Sequence, residues 1–359
     1  MIPSGTGPAP ESLEAFYRSL EEHDLRALWP IADQLMPLSP DPATKPWLWK
    51  WSTLLEHAER AGELVDIQQG GDRRVLSLAN PGLLGQPFAT STLWGAIQYL
   101  NAREHAPAHR HTPAAVRFIL RGDGIYTTVN GDACDMHRGD LVLTPSWNWH
   151  DHNSSADEPV VWFDGLDIPT VRALDAVFFE NYPDEKLQDV DGEHNRSERL
   201  FAGHGMLPIG AADTVRRHSP LLVYRRADID AALTALLDEC GGPMVSLDFV
   251  DPTSGRPVMP TMGCEMHRLV PHSRTPPFRK VGSSVVVVYE GAGSTVIDGE
   301  LFEWSAGDML AIPSWATVEH EASQQTDLFA ITDAPVLKAL GLYREETSDI
   351  RQDITGRFS

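Results

Sequence analysis

The chain contains one stretch twice. Residues 117–147, RFILRGDGIYTTVNGDACDMHRGDLVLTPSW, match residues 286–315, VVVYEGAGSTVIDGELFEWSAGDMLAIPSW. The agreement is positional: Gly122 and Gly124 pair with Gly291 and Gly293, Asn130-Gly131 with Asp298-Gly299, Gly139-Asp140 with Gly307-Asp308, and Pro145-Ser146-Trp147 with Pro313-Ser314-Trp315. A second echo closes each copy, FDGLDIP at 163–169 and FAITDAP at 329–335. Glycine reaches positive φ without steric penalty, so glycines recurring at turn positions predict one backbone path used twice. Short β-branched runs broken by Gly, Asn and Asp, with Asn-Gly as a hairpin signal, make that path antiparallel β. The expected fold is mainly β, with two jelly-roll barrels in tandem.

Around the barrels the apolar spacing is helical. Leu13, Phe16, Tyr17 and Leu20, then Trp51, Leu54, Leu55 and Ala58, recur at i, i+3, i+4 and i+7. ADIDAALTALLDECGG predicts a helix capped by Asp228 and stopped by Gly241. The division that follows is a helical N-terminal segment over 1–64, a first barrel over 65–170, a helical linker over 171–245, a second barrel over 246–335, and a C-terminal helix and tail over 336–359.

The first copy carries histidines that the second lacks. Residues i and i+2 of a strand face one way, so His109 and His111 present two imidazoles to the same side. His150, just past GDLVLTPSW, can complete a three-histidine facial set with open positions for substrate and oxygen. An isolated HxH is weak evidence of a metal, but the repeat supplies a control. At the equivalent positions the second copy has Phe278, Lys280 and Val318, although it keeps the glycines and the proline. A fold requirement therefore does not explain the three imidazoles, and they read as metal ligands. His152 is different, because its repeat partner is His320 in the copy without the triad. Packing and a proton-handling or substrate-binding role both stay open for it. His23, His57, His194 and His218 lie in helical or polar segments and read as solvated.

Bulk properties exclude several classes of function. A formal charge of -22 repels phosphate backbones, so nucleic acid is not an expected partner. The longest apolar run, Val285 to Tyr289, is too short to span a bilayer, and the N-terminus has no basic-then-apolar leader, so the protein reads as cytoplasmic. Cys134, Cys240 and Cys264 fit neither a disulfide framework nor a CxxC zinc site and read as small buried residues.

His109 and His111 leading into Gly122, followed by Gly139, Pro145 and His150, resemble the two motifs of the cupin superfamily. The stretches WKWSTLLEHAERAGELV, GGDRRVLSLANPGL, TLWGAIQYL, AHRHTPAAVRFILRGDG, GDLVLTPSWNWHDH, FDGLDIP and VGSSVVVVYEGAG carry a closer likeness. On them nearly the whole chain resembles the gentisate 1,2-dioxygenase family, bicupin enzymes that also include salicylate and 1-hydroxy-2-naphthoate 1,2-dioxygenases. The acidic ligand that general cupins place after HxH is absent, with Ala115, Val116 and Arg117 there. A divalent ion held by three neutral imidazoles keeps its full charge, which favours an anionic chelator.

The resemblance implies one Fe(II) on His109, His111 and His150, and O2-dependent cleavage of an ortho-hydroxy aromatic acid between the carbons bearing carboxylate and hydroxyl. Gentisate would give maleylpyruvate. Arg117, His152 and Asp164 map to catalytic positions, and Arg73, Arg74, Trp94 and Gln98 to substrate-binding ones. One of the two adjacent arginines is expected to anchor the anion, the alternative being a surface ion pair. Val75 and Ala96 are expected to discriminate ring size through side-chain volume. The family also implies a homotetramer, for which the N-terminal helices and the apolar outer face of the second barrel could serve. Two rivals remain: salicylate or 1-hydroxy-2-naphthoate as the substrate, and a bicupin binding or storage protein without turnover.

Overall fold

The repeat becomes two sandwiches built on one strand order. The computed structural model describes residues 12–66, 74–203 and 205–358, in two units divided after Asp41. In the first sandwich one sheet runs Val223–Tyr224, Leu141–Thr144, Ala115–Arg121, Val160–Leu166, Trp94–Leu100, Val75–Ser77. Its facing sheet runs Phe179–Asn181, His105–His111, His150–Ser154, Ile125–Val129, Asp132–Met136. The second sandwich repeats both orders and adds one edge strand to the second of them. One sheet runs Trp47–Trp49, Met309–Ile312, Ser284–Glu290, Thr326–Thr332, Gly263–Leu269, Met244–Asp248. The other runs Glu345–Thr347, Phe278–Lys280, Val318–Ala322, Ala292–Ile297, Glu300–Ser305, Gly356–Arg357.

The retained motifs have the same structural duty in each copy. Asn130-Gly131 and Asp298-Gly299 both turn hairpins with two successive positive φ angles. Asp140 accepts the backbone N–H of Arg226 at 2.9 Å and so caps the helix Arg226–Cys240. Asp308 accepts that of Trp51 at 2.8 Å and caps the helix Trp51–Leu64. Trp147 and Trp315 both take positive φ, and their rings lie under Arg110 and Arg279 at 4.4 and 4.5 Å. Asp167 accepts from Thr261 and Asp333 from Thr92, so each copy ties down the other reciprocally. Strand alternation sends Phe118 and Phe163 out of the first sandwich, where Phe118 stacks on Phe329 at 4.2 Å. These rings lie at the centre of a core shared by both halves.

Several expectations are corrected here. Gly293 does not turn like Gly124: it lies inside Ala292–Ile297, where a Cβ would come 2.6 Å from the Trp304 ring, so it is glycine for packing space. The N-terminal segment is not wholly helical, because Trp47–Trp49 completes the second sandwich. The linker lends Phe179–Asn181 and Val223–Tyr224 to the first. The C-terminal tail returns Glu345–Thr347 and Gly356–Arg357 to the second, after a helix confined to Ala334–Ala339. Strands of two or three residues carry no readable period. Asp228 lies in the first turn of its helix rather than at the cap, which is Arg225. Cys240 is exposed while Cys134 and Cys264 are buried, and His194 is hydrogen-bonded to Asp135 at 2.7 Å rather than simply solvated.

Residues 12–41 form their own small unit. Ser12 caps the helix Leu13–Glu21, and its apolar stripe folds against Trp29, which stacks on Phe16 and donates to the Tyr17 hydroxyl at 2.9 Å.

Candidate metal centre

Adjacent strands bring the three histidines together. His109 and His111 lie on His105–His111, and His150 opens His150–Ser154 directly opposite His109 in the ladder. Their ring centroids are 4.3 to 5.6 Å apart, and one nitrogen from each lies within 4.8 Å of the others. The Nδ1 atoms of His109, His111 and His150 contact the carbonyls of Pro107, Pro113 and Asn148 at 3.1, 2.7 and 3.1 Å. A carbonyl only accepts, so each Nδ1 carries the proton and each Nε2 keeps its lone pair. His150 Nε2 is buried with no hydrogen-bond partner. Burial first, then the neighbouring His109, His111 and Arg117, hold its pKa well below the usual value, so the ring is neutral. A buried lone pair beside two further imidazoles fits a divalent cation, which would supply what no side chain offers it.

His109 and His111 of the triad line a cavity of about 280 Å³. Arg117, His152 and Asp164 line it, as do Val75, Trp94 and Gln98. Arg117 and Asp164 face each other across the ladder with Nε and Oδ1 3.4 Å apart, both at most 5% exposed. Neither of these two atoms makes a hydrogen bond, while the other end of the guanidinium reaches Thr144. Burial lowers the Arg117 pKa and lifts the Asp164 carboxyl to about 6, with the attraction between them opposing both shifts. His152 is buried, its Nδ1 2.8 Å from the Thr127 hydroxyl. Desolvation first, then Arg117 and His109, keep it neutral. The indole of Trp94 is steadied by a 3.1 Å bond to Ser77.

Three sequence expectations fare differently. Ala96, opposite Asp164, is fully buried and does not line the cavity. Arg74 does not line it either: its guanidinium donates to the carbonyls of Gly62 and Val65 and pairs with Glu104. A cation at a helix C-terminus has that duty by itself, because the last carbonyls lack partners. Arg73 lies outside the described residues. Sequence reasoning missed Phe179, which pairs with His111 and stacks on the His109 ring at 5.3 Å, walling the cavity. It also missed Leu166 and Ile168 on the opposite wall. The inward parity of Asp164 already pointed to Leu166, whereas nothing in the linker singled out Phe179.

The comparisons with known proteins agree with this fold. A family model described as Cupin domain matches residues 96–168. A gentisate 1,2-dioxygenase from Streptomyces sp is 48% identical, over 92% of this chain and 94% of that protein. A 1-hydroxy-2-naphthoate 1,2-dioxygenase from Nocardioides sp. (strain KP7) is 34% identical, covering 98% of this chain and 92% of that one. Among solved structures, a salicylate 1,2-dioxygenase from Pseudoaminobacter salicylatoxidans, determined as adducts with gentisate, superposes with a TM-score of 0.90 at 40% identity. That match covers 97% of this chain and 98% of the other. With the doubled fold, and with relatives this similar along nearly their full lengths, the chain belongs to the gentisate 1,2-dioxygenase family of ring-cleaving cupin enzymes.

Proposed function

We propose that this protein is an Fe(II)-dependent gentisate 1,2-dioxygenase that opens the ring between the carboxylate-bearing and ortho-hydroxyl-bearing carbons to give maleylpyruvate. One observation carries the reading: three imidazoles converge within 4.8 Å, two of them lining the same cavity as a buried guanidinium, with no acidic ligand among the described residues of the group. Bound iron would supply a chelation point for carboxylate and hydroxyl and an electron path to O2. His109, His111 and His150 would hold it.

The remaining lining residues would bind and orient the acid. Arg117, short of one acceptor, would pair with the substrate carboxylate, a charge-assisted contact made stronger by exclusion of water. Asp164 would accept a hydrogen bond from the second ring hydroxyl of gentisate. His152, kept neutral and anchored through Nδ1 on Thr127, would present Nε2 to the chelated phenol and hold its proton there. Trp94 and Phe179 would wall the ring, with Gln98 and Val75 trimming the space at its far edge. Of the two arginines in DRRVL, the pairing of Arg74 with Glu104 leaves Arg73 as the better second anchor for the anion.

The family resemblance supports a homotetramer, and exposed Leu28, Trp29, Leu35 and Met36 fit a subunit contact. No helix among the described residues is long and apolar enough to cross a membrane, and three unpaired cysteines suit a reducing, cytoplasmic setting. The test is a substrate panel on protein reconstituted anaerobically with ferrous iron. Oxygen uptake and absorbance of the ring-opened product are expected to be fastest with gentisate. Faster turnover of salicylate or 1-hydroxy-2-naphthoate would reassign the substrate, and no uptake with any of the three would point to a binding protein.

A further inference from the structure

The second barrel encloses a cavity too, of about 320 Å³, within the size range of small-molecule pockets, roughly 300–1,000 Å³. In its ladder Phe278 stands opposite Val318 as His109 stands opposite His150, and Lys280 takes the position of His111. An ammonium thus occupies a metal-ligand position. Lys280 Nζ lies 3.3 Å from both oxygens of Glu265, and His267 Nε2 lies 3.2 Å from one of them. Burial works against ionisation of Glu265, but Lys280 and His267 outweigh it and hold the carboxyl well below the usual carboxylate range. With one carboxylate as its acceptor, Lys280 keeps at least one of its three N–H donors to spare.

His320 adds a second spare donor. Trp304 Nε1 can only donate, and it does so to the buried Thr295 hydroxyl at 2.8 Å. The Thr295 proton is then best used on His320 Nδ1, also 2.8 Å away, which puts the ring proton on Nε2. Burial, reinforced by His267 and Lys280, lowers the His320 pKa to about 3, so the ring stays neutral. Phe278, Val286, Val318 and Leu328 supply apolar walls. The other acidic lining residues, Asp248 and Glu345, are solvent-exposed, where water screens them.

We propose that the second barrel binds a small organic carboxylate, its anionic head on Lys280 and His320 and its apolar body against Phe278 and Val318, without transforming it. A fixed ammonium can take the place of a metal for a carboxylate but offers no route to O2. The proposal does not depend on which reaction the first barrel performs. Both an aromatic acid and an unsaturated ring-opened acid carry the required head, so benzoate, gentisate and maleate serve as separate probes.

Calorimetric titration of the metal-loaded protein under argon reads the stoichiometry. Gentisate is expected to fill two sites per chain in the wild type, and Lys280→Met should weaken one of them about 10- to 100-fold while leaving oxygen uptake unchanged. Should that variant fail to fold because Glu265 is left unpaired, the double variant Lys280→Met/Glu265→Gln removes both charges and carries the same expectation. Tighter Lys280-dependent binding of benzoate marks the site as substrate-like, and of maleate as product-like; either supports the proposal. If none of the three probes binds in a Lys280-dependent way, the proposal is overturned. Loss of the Lys280-independent site or of turnover would instead count against the reading of the first barrel.

Discussion

The two barrels share a backbone and differ in what fills them, and the difference separates architecture from chemistry. Both keep the Asp that caps an outer helix, the Trp at positive φ under an arginine, and a buried histidine on a threonine. Only the first keeps three converging imidazoles and the buried Arg117–Asp164 pair, whose register partners in the second are Val286 and Ala330. Replacing a buried ion pair by apolar residues is often neutral or stabilising by ~1–4 kcal/mol. The second barrel holds the same fold with Val286 and Ala330 there, so this fold does not require the pair found in the first.

The comparison breaks most visibly at the triad. His150→Ala should abolish iron binding and oxygen uptake, whereas Val318→Ala, its register partner, should alter neither; metal analysis and an oxygen electrode decide. Iron retained with turnover in His150→Ala would remove the basis for contrasting the two halves. A smaller effect is expected at Arg117. Losing one charge-assisted hydrogen bond in Arg117→Met should raise KM for gentisate ~10- to 100-fold, and an unchanged KM would return Arg117 to a structural role.

A further effect is a pH dependence contributed by Asp164 of the first barrel. Burial raises the Asp164 pKa from 3.8 to about 6, so between those values the folded protein holds a proton that the unfolded chain has released. Stability contributed by this group is therefore full below about pH 4 and falls as pH rises to about 6, by on the order of 3 kcal/mol. Asp164→Asn should lower the slope of that part of the curve in urea melts of the metal-free protein. A wild-type slope retained in the variant would assign the titration elsewhere.

How far the sequence could be read follows from how each signal arises. The triad was legible because an unequal repeat contains its own control, and the retained Gly-Asp and Pro-Ser-Trp motifs were legible because each sits at a turn. Phe179 was not, since a three-residue edge strand has neither length nor alternation to mark it. Arg74 turned away from the cavity because sequence shows a charge but not which neighbouring carbonyls lack a donor; the end of the helix Trp51–Leu64 claimed it first. The pairing of Gly124 with Gly293 failed because the first copy carries one extra residue between Gly122 and Asn130, which shifts the turn but leaves the ladder intact.

The outermost strand of the second sandwich has consequences for biosynthesis. Trp47–Trp49 leaves the ribosome long before Met309–Ile312, its only ladder partner among the described residues, and the adjoining cap joins residues 257 apart in sequence. Closing so long a span costs conformational entropy before any pairing rewards it. Until translation is nearly finished this strand has an unmatched edge, open to wrong neighbours in a crowded cell. Neither half is therefore a portable module: a gene cut between them would strand an edge on one side and leave a gap on the other.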